Sequence, residues 1–166
     1  MKIILITGPI AAGKTTYAIR LASELNAIRF SIDAWMTTLF SEDNLENDFL
    51  AIMARVDRCH NQIWSVAQQA LDKNLSVILD LGFTTVEQRS KFINLALSLD
   101  ITPELHYLQL SPKARWQRVV QRNNDKHPDV FSFEITQEMF DFMEPKFEPP
   151  ILTECDNFKI IDASSR

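Results

Sequence analysis

Gly8-Pro9-Ile10-Ala11-Ala12-Gly13-Lys14-Thr15 has the spacing G-x-x-x-x-G-K-[ST], in a chain with only three glycines among its 166 residues. That spacing suits a polyphosphate. Glycines at 8 and 13 let the backbone turn tightly and aim successive N–H groups inward, and a helix opening directly behind them offers its positive end to an anion. Gly8, Ala11, Ala12, Gly13, Lys14, Thr15 and Thr16 are the expected cradle. Within it Lys14 reaches the β- and γ-phosphates and the Thr15 hydroxyl ligates magnesium. The motif follows an apolar run, "IILIT", and precedes a helical pattern, a context that chance matches lack. It predicts binding of a nucleoside triphosphate.

Two aspartates are placed to act on such a ligand. In an open parallel sheet ligands collect at the carboxyl ends of the strands. Asp33 closes "RFSID" and Asp80 closes "SVILD". Asp80, after its apolar run, is the expected magnesium-orienting carboxylate beside Thr15. The next residue is Leu81 and not the water-activating glutamate of motor ATPases. "DLGF" is not D-x-x-G, and "NNDK" at 123–126 is not the guanine-reading N-K-x-D. Transfer of the γ-phosphoryl group to an acceptor other than water remains, with Asp33 as the general base.

A basic stretch supplies the countercharge. Residues 111–126 carry Lys113, Arg115, Arg118, Arg122 and Lys126 against one acid, Asp125. Arg115, Arg118 and Arg122 fall at i, i+3 and i+7, which predicts one shared helix face with Trp116, Val119 and Val120 on the other. Arginines that close over a moving phosphoryl group stabilise its spreading charge once water is expelled. Arg118 and Arg122 are expected in the site, with Arg115 less central.

The elements that must hold these groups follow from periodicity. Strands are expected at 3–7, 28–33, 76–80, 104–110 and 158–162. Helices are expected from Lys14, along the face Phe49 to Leu71 with Asn74 at its end, from the Thr85–Gln88 capping box, from Ser111-Pro112, and from Thr136 to Met143. His60 lies in the apolar stripe of the second of these and reads as a core residue. Residues 41–48 ("SEDNLEND") read as a solvated loop. Alternating strands and helices imply an α/β fold with a parallel sheet covered on both faces.

Composition bounds the function classes. The chain fits one domain, 1–166, with an apolar share of 46%. Its net charge of −5 argues against duplex nucleic acid as a partner. Cys59 and Cys155 form no CxxC pair and are expected as free thiols. Only four strongly apolar residues follow Lys2 before Thr7, too few for a signal-peptide core, and no segment is long enough to cross a membrane. A cytoplasmic protein is expected.

The loop at 8–15, the "SID" aspartate, the "LDLGF" strand end and the "RWQRVVQRN" stretch together resemble the P-loop small kinases of the polynucleotide-kinase, zeta-toxin and chloramphenicol-phosphotransferase group. "SIDAWM", "DLGFT" and "FDFMEPKFEPP" further resemble an uncharacterised bacterial branch of it. The resemblance implies a three-layer fold with a five-stranded parallel sheet in the order 2-3-1-4-5 and a helical lid over about residues 112–147. It implies ATP as donor and Mg2+ as cofactor, the base at Asp33, and lid arginines at Arg118 and Arg122. Polynucleotide kinases carry D-x-x-R where this chain has Asp33-Ala34-Trp35-Met36, so a polynucleotide 5′-hydroxyl acceptor is not implied. The acceptor would enter between 34–40 and 131–150, stretches rich in Trp, Phe and Met that serve either as acceptor walls or as packing for the lid. The expected activity is an ATP-dependent phosphotransferase acting on a small-molecule hydroxyl. The alternative is a nucleotide-binding switch with weak ATPase activity and a protein partner.

Overall fold

The apolar runs form strands β1 (Ile3–Thr7), β2 (Ile28–Ser31), β3 (Val77–Asp80), β4 (Glu104–Gln109) and β5 (Asn157–Asp162) of a computed structural model that describes residues 1–40, 49–125 and 134–164. All four pairings are parallel, in the order β2-β3-β1-β4-β5 that the resemblance implies. Between the strands lie α1 (Lys14–Leu25), α2 (Ile32–Phe40), α3 (Phe49–Asp72), α4 (Val86–Leu97), α5 (Pro112–Asp125) and α6 (Gln137–Met143).

Residue alternation along the strands sorts the core into two layers. Ile3, Leu5, Val77, Leu79 and Leu105 pack with Ile63, Trp64 and Ala67 of α3 and with Phe92 and Ala96 of α4. Ile4, Ile6, Ile78 and Leu108 face the other way, against Tyr17 and Ala18 of α1. β1 and β3 are buried along their whole length because helices cover both faces. The expected caps are in place: Thr85 and Gln88 form a complete capping box and the Thr136 side chain accepts from Met139 N–H. His60 is a core residue, edge-on to Phe92 at 5.6 Å, and burial lowers its pKa from 6.5. Cys59 and Cys155 are free and buried. Among the described residues no helix is long and apolar enough to cross a membrane.

Two expectations are corrected. The second strand ends at Ser31 and not at residue 33, so Asp33 stands in the first turn of α2. Ile32, Trp35, Met36 and Phe40 recur at helical spacing and pack on the α3–α4 layer, while Ser31 Oγ accepts from Ala34 N–H at 3.4 Å and caps the helix. Amphipathic packing therefore wins over the strand propensity of "IRFSI". In α5, Arg115 and Val119 are both buried and Val120 is exposed, so the basic and apolar faces are not opposed as their spacing predicted. Arg115 gives its Nη1 and Nη2 hydrogens to the two oxygens of Glu144, and its guanidinium lies 5.2 Å from the Phe140 ring. Phe140 also meets Trp116 edge-on at 5.5 Å and packs with Val119 and Ile135. A paired arginine thus behaves as part of the lid's apolar seam. The predicted loop at 41–48, Lys126, and residues 131–133 of the candidate acceptor wall lie outside the described residues.

Arg89 of α4 shows what such pairing stabilises. It is fully buried and donates from Nε and Nη2 to both oxygens of Glu154, and from Nη1 to Phe83 O. Arg89→Met leaves the Glu154 carboxylate buried without its cation and is expected to lower stability by about 3–5 kcal/mol, read from the urea midpoint. Adding Glu154→Gln removes the stranded charge and should recover part of that loss.

A buried network below the sheet makes stability depend on pH. Tyr17 O–H donates to His106 Nδ1 at 2.8 Å, and His106 Nε2–H donates to Glu104 Oε2 at 3.0 Å. Burial lowers the His106 pKa, as it does that of His60, with the Glu104 hydrogen bond opposing. Burial alone would raise Glu104, but hydrogen bonds from Lys159, Lys2 and His106 bring it down to about 2. Each group takes up its proton first in the unfolded chain. Stability is therefore expected to fall as pH drops below about 6.5, through the histidines. It falls again from 4.5 toward about 2, through Glu104. Asp33, whose folded pKa is raised, has the opposite sign and offsets part of the second loss. Urea midpoints measured across pH check both segments, and Glu104→Gln should flatten the lower one while deepening the upper, because His106 loses the carboxylate that opposes its shift.

Candidate active site

The turn between β1 and α1 is shaped by its two glycines. A Cβ on Gly8 would lie 2.8 Å from Leu108 O, closer than any real contact, so the approach of β4 excludes every other residue there. Gly13 takes φ 92° as the N-cap of α1 and brings no capping side chain. The first intrahelical bond runs from Tyr17 N–H to Gly13 O at 3.0 Å, so the helix itself leaves the amides of Lys14, Thr15 and Thr16 unsatisfied. Ala11 stands at φ 60°, the left-handed region, and Ala12 N–H closes the turn on Pro9 O at 3.2 Å. Bare first-turn amides, a positive helix end and a backbone cradle fit a polyphosphate.

Charged side chains converge on this cradle from four elements. Lys14 Nζ donates to Gly8 O and Pro9 O at 2.8 and 2.9 Å, folded over the loop. Burial lowers its pKa from 10.5, while the charges of Asp80 and Asp33 oppose the shift. Asp80 closes β3 as expected and is buried at 6% exposure. Its Oδ2 accepts from Arg29 Nη2 at 2.7 Å and Nε at 3.2 Å. Asp33 is exposed as a whole residue, yet its carboxyl is crowded by surrounding protein. That desolvation, then Asp80, raises its pKa above 3.8, with Lys14, Arg29 and Arg122 pulling the other way. Arg122 of α5 is half-buried, and burial lowers its pKa from 12.5 against the pull of Asp33. Asp33 thus feels the charges of Lys14, Asp80, Arg29 and Arg122, although the sequence separates them widely.

The remaining predicted residues are placed as follows. Thr15 lies in the first turn of α1 and is half-buried, whereas Thr16 is exposed. Arg118 reaches the loop, its Nη1 donating to Ala12 O at 3.3 Å and its Nη2 to Ala163 O. Arg115 reaches Ile10 O at 3.2 Å in addition to Glu144, and so fastens α5 to the loop. Trp35, Met36 and Phe40 pack on the core, and Phe147 stacks on Tyr107 at 5.9 Å, so these aromatic side chains serve packing. Motif reading missed Arg29 and Glu144. A lone charge within a short buried strand, "IRFS", was the available signal for the first. Nothing local marked the second.

Among the described residues no group of three or more His, Cys, Asp or Glu side chains could hold a metal. Magnesium takes one or two protein oxygens and completes its shell with phosphates and water, and a hydroxyl and a carboxylate are the donors it would take here. Thr15 and Asp80 fit that role.

A family model described as AAA domain matches residues 3–150. The chain belongs to the AAA domain family. Solved structures share this AAA domain's fold across almost its full length. A candidate kinase from Chloroflexus aurantiacus is 18% identical, with a TM-score of 0.76 over 98% of this chain and 85% of that one. Chaetomium thermophilum Kti12, solved with ADP-AlF3, is 13% identical with a TM-score of 0.73 over 99% of this chain and 90% of that one. A gluconokinase from Sinorhizobium meliloti is 13% identical with a TM-score of 0.61 over 98% and 83%. The fold is that of the P-loop small kinases. No curated protein matches this chain.

Proposed function

We propose that this AAA domain is an ATP-dependent phosphotransferase that moves the γ-phosphoryl group to a hydroxyl of a small-molecule acceptor, with residues 112–147 as its lid. The observation that carries this reading is the electrostatic coupling of Asp33 to Lys14, Asp80 and Arg122. A candidate base held close to the phosphate-loop lysine and to an arginine of α5 supports transfer to an acceptor hydroxyl. The names of the fold neighbours, a gluconokinase and a sugar kinase among them, support the same reading.

The loop amides and Lys14 would bind the triphosphate. Thr15 and Asp80 would hold magnesium, which supplies neutralising charge to the phosphate oxygens when bound. Asp33 takes the proton from the acceptor hydroxyl as that oxygen attacks, and its raised pKa makes it a better acceptor of that proton than an ordinary carboxylate. Arg122 and Arg118 line the lid side, where their charge stabilises the transferring group and their closure excludes water. A net charge of −5 supports a small molecule over duplex nucleic acid as the partner. A cytoplasmic site of action fits free, buried Cys59 and Cys155.

The test is ADP release with ATP, magnesium and a panel of sugar, antibiotic, nucleoside and other hydroxyl acceptors, measured above a no-acceptor background. At least one acceptor is expected to raise the rate well above that background. Uniformly flat rates with tight ATP binding intact would favour a second reading, a nucleotide-dependent switch with weak ATPase activity and a protein partner. The likeness to Kti12 in complex with ADP-AlF3 is the observation that favours it.

A further inference from the structure

Arg29 belongs to no motif, yet it makes the direct contact to the candidate metal-orienting carboxylate. It sits on β2, the edge strand, in register with Ile78, while Ser31 is in register with Asp80. Residue alternation puts Arg29 and Asp80 on the same face of the sheet, the face that α1 covers. Only 21% of the Arg29 side chain is exposed. Burying a guanidinium in a four-residue strand is costly unless a partner takes its charge.

The form of the pairing differs from that of the two buried arginines, Arg89 and Arg115. Arg89 and Arg115 each spread their donors over both oxygens of a glutamate, the fork geometry common to arginine–carboxylate pairs. Arg29 instead gives both Nε–H and Nη2–H to the single oxygen Oδ2. Among the described residues no donor is recorded on Asp80 Oδ1. A largely buried carboxylate with one oxygen doubly held and the other left over is arranged for a ligand on the second.

The Arg29 charge also lowers the pKa of Asp33.

We propose that Arg29 is a positioning residue that grips Asp80 by Oδ2 and reserves Oδ1 for the hydration shell of the divalent cation accompanying the nucleotide. The inference rests on the reading of residues 8–15 as a nucleotide site.

Calorimetry of ATP binding, first in EDTA and then across a titration of MgCl2, separates this role from a structural one. Arg29→Gln is expected to raise the magnesium concentration for half-maximal tightening of ATP by roughly 10–100-fold, as loss of an outer-shell partner does, with the affinity in EDTA unchanged. Asp80→Asn should produce the same displacement, and the double substitution should add nothing further, since the two act as one unit. An undisplaced magnesium titration in Arg29→Gln overturns the proposal, and so does an equal loss of affinity with and without magnesium. Should Arg29→Gln fail to fold, Arg29→Lys retains the charge without the two-donor grip. The same displacement is expected there, and its absence is equally decisive. Wild-type protein that binds no ATP in either condition gives a different result, which removes the nucleotide reading and this inference with it.

Discussion

Asp33→Asn lowers turnover of the best acceptor by roughly 10²–10⁴-fold, the usual contribution of a positioned general base, while ATP binds as before. Asparagine keeps the shape and loses the ability to take a proton, together with the charge that acts on Lys14 and Arg122. Asp33 holds no loop amide, and the nucleotide site of Lys14 and the first-turn amides of α1 remains complete. Rapid-quench or steady-state rates beside calorimetric ATP affinities check the split. Equal loss of binding and turnover would count against a base at Asp33. The pH profile carries the same information with a definite sign. A base works deprotonated, so kcat/KM falls as the solution is acidified through the Asp33 pKa of the free protein. Desolvation and the Asp80 charge raise that pKa above 3.8, so the acidic limb lies above an ordinary aspartate's and vanishes in Asp33→Asn.

Arg122→Ala is expected to cost roughly 10³–10⁵-fold in turnover, the worth of an arginine that stabilises a transferring phosphoryl group. Its guanidinium is half-buried and acts on Asp33, the base in the proposed transfer. Lysine should restore little, because a point charge does not reproduce the planar fork. Arg115→Met separates lid assembly from lid chemistry. Arg115 is spent on Glu144, Ile10 O and Leu110 O, so its loss should show first in a lowered unfolding midpoint and in ATP affinity. An Arg122→Ala protein with undiminished turnover would place the transferring group away from the lid.

Much of this was written in local pattern. Gly8, Gly13, Lys14 and Thr15 are adjacent in the chain, and a loop that wraps its own backbone around an anion needs no distant partner to be recognised. The strand runs at 3–7 and 77–80 were legible because burial on both faces demands unbroken apolar residues. Asp80 was legible as the residue that ends one of them. Where the reading went astray, two patterns competed for the same residues. "IRFSID" suits a strand by propensity, but Ile32, Trp35, Met36 and Phe40 bury a helical face, and that packing turned Asp33 from a strand end into a helix start. Along α5 the spacing placed three arginines on one side. It did not show that Glu144 would draw Arg115 into the seam.

The sequence by itself determined the phosphate loop, the strand-and-helix alternation and the residue types available for phosphoryl transfer, because each depends on near neighbours and on periodicity. Only the tertiary structure decided which charges share the pocket. Arg29 and Asp80 meet through a strand register, Arg122 and Asp33 through the seating of the lid, and Arg115 and Glu144 through the packing of α6. Those pairings join residues far apart in the chain, and an ion pair buried at such a distance leaves no periodic trace in the order of the amino acids.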